Sequence, residues 1–225
     1  MSQALLPGMV ALPDYGDAND FYSTPPSAVE AVLPFIPRLK SARWNVLEPA
    51  AGEGAVLKAL LPHIAGTWPR VIGPIPEAWA YEISAQRTKV LVDNLGTFLP
   101  MTAVQCCDFL TVPLAAFRYH SFGRPWLAML NPPYSKPYEG IGLDFVERCL
   151  EIAEQETGSV VAGLLPLDFA TGVDRCKRVH DRWKGSLYPL RRRQDFGGPH
   201  GSGQRPVAWF IWDISNPKNE YQVIG

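Results

Sequence analysis

Asn131-Pro132-Pro133-Tyr134 is the stretch of this chain whose residue types could do chemistry together. The asparagine brings a side-chain carbonyl acceptor, the rigid proline pair aims a backbone carbonyl in the same direction, and the tyrosine presents a flat face. Two acceptors and a ring suit a planar amine, whose N–H groups need partners and whose face stacks. Asparagine beside proline is also an ordinary turn former, and tyrosine an ordinary half-buried aromatic. Position decides between these readings. The tetrapeptide follows the apolar run Trp126, Leu127, Ala128, Met129, Leu130, which reads as a buried strand stopped by prolines. In open α/β sheets, ligands bind at that edge of the strands.

The elements that must position it alternate. Trp44 to Glu48 is a first strand, followed by the turn Pro49-Ala50-Ala51-Gly52-Glu53-Gly54 and a helix from Ala55 to Leu61. Such a turn lets backbone N–H groups approach a ligand closely. It lacks the Gly-Lys-Ser/Thr end of a phosphate loop, and Glu48 and Glu53 would repel a polyphosphate. A strand from Ala78 to Ile83 ends near Glu82, a helix spans Ser84 to Asn94, and a strand from Met101 to Cys107 is closed by Asp108-Phe109. After the Asn131 strand come a helix from Phe145 to Glu156, a strand from Ser159 to Leu165 ending at Pro166-Leu167-Asp168-Phe169, and a helix from Asp174 to Trp183. Strands at Ser186 to Leu190 and Val207 to Trp212 close the chain. The expected fold is α/β, a seven-stranded, mostly parallel sheet with an antiparallel C-terminal hairpin.

The 225 residues read as a single domain over 21–225 behind a flexible arm, 1–20, rich in Gly, Pro and Asp. A helix from Ser27 to Leu39, capped by Ser27 or Thr24, is expected to break at Pro34. Residues 66–77 form a Pro/Gly-rich insertion. No apolar run reaches the roughly 18 residues of a membrane span, and no basic-then-apolar leader opens the chain, so the cytoplasm of a bacterial cell or phage-infected host is expected. Cys106, Cys107, Cys149 and Cys176 lack Cys-x-x-Cys spacing and clustered histidines, so no metal site or disulfide framework is signalled. The net charge is −1, yet nine Lys/Arg against three Asp between Asp174 and Arg205 give a local excess of six positive charges. That 174–206 region is either a solvated face or a candidate nucleic-acid contact.

In a parallel sheet, Glu48, Glu82, Asp108 and Asn131 share one rim. An acidic residue closing the second strand can accept both hydroxyls of a ribose, and one beside an aromatic on the third can hold a stacked adenine. Two carboxylates at the first turn fit a positive charge. A nucleoside with a cationic appendage and no phosphate describes S-adenosylmethionine.

Thr24-Pro25 ahead of a helix, Leu47-Glu48-Pro49-Ala50-Ala51-Gly52-Glu53-Gly54, Glu82, Asp108-Phe109 and Asn131-Pro132-Pro133-Tyr134 resemble, in that order, the motifs of amino-directed DNA methyltransferases. The order looks like the gamma class of adenine-N6 enzymes, and the small size is similar to phage-encoded members. The resemblance implies a class I, Rossmann-like methyltransferase fold, DNA as substrate and a restriction-modification setting. It implies that Thr24 and the backbone around Gly52 and Gly54 cradle the methionine part of S-adenosylmethionine, with Glu48 near its ammonium. Glu82 would hold the ribose, Asp108 and Phe109 the adenine, with Tyr22, Pro25, Pro49, Ala50, Ile83 and Asn131 also along the cofactor. Asn131 and the Pro132 carbonyl would accept hydrogen bonds from a target amino group, and Tyr134 would stack on a flipped-out base behind the rigid Pro133. Arg191, Arg192, Arg193, the basic helix and the Gly197 to Gly203 loop would touch phosphates. Phe169 and Phe196 would add faces to the base pocket or be buried aromatics.

Members of this order usually carry a sizeable C-terminal recognition domain, whereas few residues follow Asp168 here. A short or relaxed recognition sequence is therefore expected. Asn-Pro-Pro-Tyr also occurs in methyltransferases of structured RNA and of release-factor glutamine, so both substrates stay open, as does a DNA-associated protein without turnover.

Overall fold

The computed structural model describes residues 23–67, 77–134, 139–192 and 206–225. Helix α1 (Pro26–Val32) precedes strand β1 (Asn45–Glu48), helix α2 (Ala55–Ile64), strand β2 (Ala78–Glu82), helix α3 (Ala85–Leu95) and strand β3 (Thr102–Cys106). Helix α4 (Leu114–Ser121), strand β4 (Trp126–Leu130), helix α5 (Ile141–Ala153) and strand β5 (Val160–Pro166) follow. A short α6 (Val173–Arg175), β6 (Ser186–Pro189) and β7 (Val207–Asp213) complete the order.

The apolar runs become strands because both of their faces are covered. Along β4, Leu127 and Met129 join one core with Val29, Leu57, Leu60 and Leu91. Trp126, Ala128 and Leu130 join the other with Phe117, Phe145, Val146 and Leu150. Two-sided burial is what a central parallel strand requires, and each such side chain contributes about 1.5–3 kcal/mol.

One seven-stranded sheet results, ordered β3-β2-β1-β4-β5-β7-β6. β1 to β5 pair in parallel, while β7 lies antiparallel between β5 and β6. The expected sheet and closing hairpin are therefore present. Because β6 runs the same way as β5, it ends on the same rim. Chain direction across the sheet reverses between β1 and β4, whose pairing sets Leu47 beside Ala128. That is the switch point at which ligands enter such sheets.

The departures from expectation are local. α1 stops at Val32 and gives way to a 3-10 turn, Leu33–Phe35, because Pro34 cannot extend an α-helix. Neither Thr24 nor Ser27 caps α1; Pro25 occupies the cap position without a side-chain bond. α5 begins four residues before the expected Phe145, at Ile141, behind Gly140 with φ 92°. α4 was not expected. The helix expected from Asp174 to Trp183 is one α-turn followed by a π-helix, Cys176–His180. The chain's last residues lie along β6, with Leu187 N–H donating to Glu220 O at 2.7 Å and Ile224 N–H to Pro189 O at 2.9 Å, covering an edge that sequence periodicity did not show to be covered.

Candidate active site

The first turn is built on backbone geometry that only glycine accepts without strain. Gly52 and Gly54 have φ of 54° and 84°. A Cβ on Gly54 would lie 2.6 Å from Leu91 Cδ1, so α3 closes directly onto the turn. Asn94 Nδ2 donates to Glu53 O at 2.9 Å and ties the turn to the same helix.

The expected carboxylates stand around it. Glu48 is 2% exposed, and its Oε2 accepts the Leu57 N–H of α2 at 3.2 Å. Burial pushes its carboxyl well above the ordinary value of 4.5; the Leu57 N–H opposes this and the charge of Glu82 adds to it. Glu82 accepts the Gly52 N–H at 2.9 Å and the Ser84 N–H at 2.7 Å, with Arg87 Nη1 3.7 Å away. These bonds fix the Glu82 carboxylate against the turn. Pro49, Ala50 and Ile83 line the same strand ends; the carbonyl of Ile83 accepts the Cys106 thiol at 3.9 Å.

At the end of β3, Asp108 Oδ1 accepts the Leu110 N–H at 2.9 Å and caps the 3-10 turn Phe109–Thr111. Phe109 departs from its expected role. It is 1% exposed, stacked on Phe145 at 5.6 Å and edge-on to Tyr81 and Phe117. Its ring is core, and no face of it is open to an adenine.

Asn131 leaves β4 at the switch point. Its Nδ2 donates to Thr24 Oγ1 at 3.0 Å, and its Oδ1 accepts the Tyr134 hydroxyl at 2.6 Å. That hydroxyl also reaches Leu164 O on β5, at 2.8 Å. Thr24 is 4% exposed beside Pro25, and α1 is pinned behind it by Trp209 Nε1–H donating to Ala28 O at 2.8 Å. Pro132 is buried and Pro133 half-buried. Gly142, which the sequence reading missed, makes this possible: a Cβ there would lie 3.0 Å from Pro133 O, so α5 packs directly on the motif. The pair Gly140 and Gly142 at the head of the helix was the available signal.

The substrate-side candidates divide. Arg191 and Arg192 are exposed just past β6, on the rim that carries Asn131. Arg193, Phe196, Tyr22, the 1–20 arm and the Gly197 to Gly203 loop lie outside the described residues. Phe169 is buried at 6% exposure, edge-on to Phe210 at 5.4 Å, which is the buried alternative rather than a base-facing one. In the basic helix, expected to touch phosphates, the arginines have protein partners. Arg178 pairs with Asp144 at 2.7 Å and with Glu147, and Arg182 lies 3.8 Å from Glu154. Arg175 donates to the Asp168 and Thr171 carbonyls. Two of the nine basic residues, Arg178 and Arg182, are thus paired with acidic residues of α5 and its C-cap. Among the described residues no group of His, Cys, Asp or Glu could hold a metal ion, and no helix is long and apolar enough to cross a membrane.

No protein-family model and no curated protein matches the sequence. Solved structures do resemble the fold. A protein of Vibrio vulnificus described as a modification subunit of a type I restriction enzyme superposes with a TM-score of 0.66 at 18% identity, over 92% of this chain and 48% of that one. One of Listeria monocytogenes, described as a class I S-adenosylmethionine-dependent methyltransferase, gives 0.64 at 13% identity over 92% and 67%. The ATP-dependent type ISP restriction-modification enzyme LlaBIII bound to DNA gives 0.58 at 14% identity, over 90% of this chain and 20% of that one. The chain therefore spans less than half of the Vibrio subunit it resembles. With its strand order and the antiparallel β7, the chain has the class I methyltransferase fold.

Proposed function

We propose that the chain transfers the methyl group of S-adenosylmethionine to the exocyclic N6 amino group of an adenine flipped out of DNA. The observation that carries this reading is the placement of Asn131 at the switch point, alongside Glu48 and the Gly52–Gly54 turn. The site fits the cofactor chemically. Glu48 is a buried carboxyl with no cation against it among the described residues, suited to an ammonium. Gly52 and Gly54, at positive φ, give the tight strand-to-helix turn that lets backbone approach a ligand. Glu82, held by two N–H groups, keeps further lone pairs for ribose hydroxyls. The likeness to restriction-modification proteins, one of them bound to DNA, supports DNA as the substrate.

The cofactor supplies an electrophilic methyl on a sulfonium. The lone pair of an adenine amino group is delocalised into its ring, so Asn131 Oδ1 and the Pro132 carbonyl ease attack by accepting its N–H bonds. Holding amine and methyl in line removes much of the remaining barrier. Taking the base from its stack costs about a few kcal/mol, which the Tyr134 ring partly offsets by stacking.

The test is incubation with methyl-labelled cofactor and, separately, duplex DNA, total RNA and protein extract. Label in DNA that digests to N6-methyladenine, falling by about 100-fold or more in Asn131→Ala, is the expected result. Label only in RNA or protein would overturn the substrate, and none anywhere would leave a DNA-associated protein without turnover.

A further inference from the structure

We infer, on the reading that Asn131 accepts the target amine, that Thr24 and the Tyr134 hydroxyl are positioning groups for its amide. Thr24 anchors one end of the amide, and Tyr134 holds the amide oxygen until the amine arrives.

Asn131 Nδ2 donates to Thr24 Oγ1 at 3.0 Å, and Oδ1 lies toward the Tyr134 hydroxyl. A hydroxyl both donates and accepts, so Thr24 anchors that end of the amide rather than choosing it. The threonine is well placed for that task. It is buried, it follows from no capping duty on α1, and the rigid Pro25-Pro26 pair and the Trp209 bond to Ala28 hold it still.

Oδ1 meets the Tyr134 hydroxyl at 2.6 Å, and the same hydroxyl oxygen lies 2.8 Å from Leu164 O. A phenol has one proton, and here two acceptors compete for it. When an amine N–H takes Oδ1, the hydroxyl turns its proton to Leu164 O. One hydrogen bond replaces another, the ring does not have to move, and the amide oxygen gives its full strength to the substrate. A half-buried hydroxyl therefore keeps the acceptor satisfied in the free protein without blocking it.

Two kinds of measurement test this. In kinetics, Thr24→Val is expected to lower kcat by about 10–100-fold through misplacement of the amide. Cofactor affinity by calorimetry should move far less, and Thr24→Ser should restore kcat. Equal losses of kcat and cofactor affinity would make Thr24 a cofactor contact and overturn the inference.

The second measurement needs no turnover. The Asn131 side-chain amide protons, identified by their loss in Asn131→Ala, should exchange slowly with water in the native chain and faster in Thr24→Val. Tyr134→Phe, which keeps the ring, should shift that amide resonance in the free protein and leave it unshifted in the complex with DNA. Unchanged exchange in Thr24→Val, or a Tyr134→Phe shift that persists in the complex, would overturn the inference. If the native chain transfers no methyl to any substrate, the functional reading fails, and the exchange rates still decide whether Thr24 positions the amide.

Discussion

The two halves of the rim are held by different means. On the β1–β3 side, three acidic groups are tied by backbone N–H groups close in sequence or one strand away: Glu48 by Leu57, Glu82 by Gly52 and Ser84, Asp108 by Leu110. On the β5–β7 side, charges are held by side chains from another helix, as Arg178 is by Asp144 and Glu147. Backbone donors have fixed positions, whereas ion pairs between exposed side chains are screened by water and can be exchanged for other partners. The first half is thus a rigid receptor for one ligand, and the second a surface whose charges are already partly committed.

The largest test of that contrast is Gly54→Val. A side chain at φ 84°, facing Leu91 Cδ1 at 2.6 Å, combines left-handed strain with overpacking, about 2–5 kcal/mol together. For a chain of this size, that lowers the melting temperature by roughly 5–15 °C. Cofactor affinity should fall with it. A variant that melts like the native chain would show that the turn is not the rigid frame its bonds suggest.

How much of this was readable in the sequence follows from the distance between partners. The β4 run and its proline stop lie within nine residues of each other, and the Glu48 turn is equally local, so both were legible, as was the alternation that dictates the sheet. The bond from Asn131 to Thr24 crosses 107 residues, and no local pattern reports it. Thr24 instead read as a helix cap, the commonest duty of a threonine before a helix, or, by resemblance, as a cofactor contact. Phe109 read as a stacking face because an aromatic after an acidic residue at a strand end has the same spelling whether its ring is open or covered. Only Phe145, Tyr81 and Phe117 packed on it show that it is core. The partners of the basic run were hidden for the same reason. Counting charges along the chain finds Arg178 and Arg182 but cannot see Glu147 and Glu154, which α5 brings to them.

A smaller effect separates ligand binding from stability on the rigid side. The Glu48 carboxyl is raised above its ordinary 4.5 chiefly by burial. A carboxyl whose folded value is raised stabilises the fold fully below its unfolded value and less as pH climbs above it. Glu48→Gln keeps an acceptor for the Leu57 N–H and removes the charge. The cofactor-free variant should match the native chain near pH 4 and gain about 1–2 kcal/mol at pH 8, read as a higher melting temperature. Adding S-adenosylmethionine should reverse the order, because its ammonium favours the charged carboxylate. No gain at pH 8 would mean that the native fold already accommodates the charge.

The smallest effect is the one that decides whether the second half is committed. Arg178 is part-exposed, and its pairs with Asp144 and Glu147 are screened, so Arg178→Ala should cost only about 0.5–1 kcal/mol of stability. If those pairs persist on DNA, affinity and its salt dependence should stay as in the native chain. Arg191→Ala with Arg192→Ala should instead weaken binding to every sequence and flatten the salt dependence by about one ion per arginine. Equal losses from both sets would break the contrast. The ion pairs of α5 would then be a store of arginines that opens onto phosphate, because a carboxylate and a phosphate offer a guanidinium the same fork of acceptors.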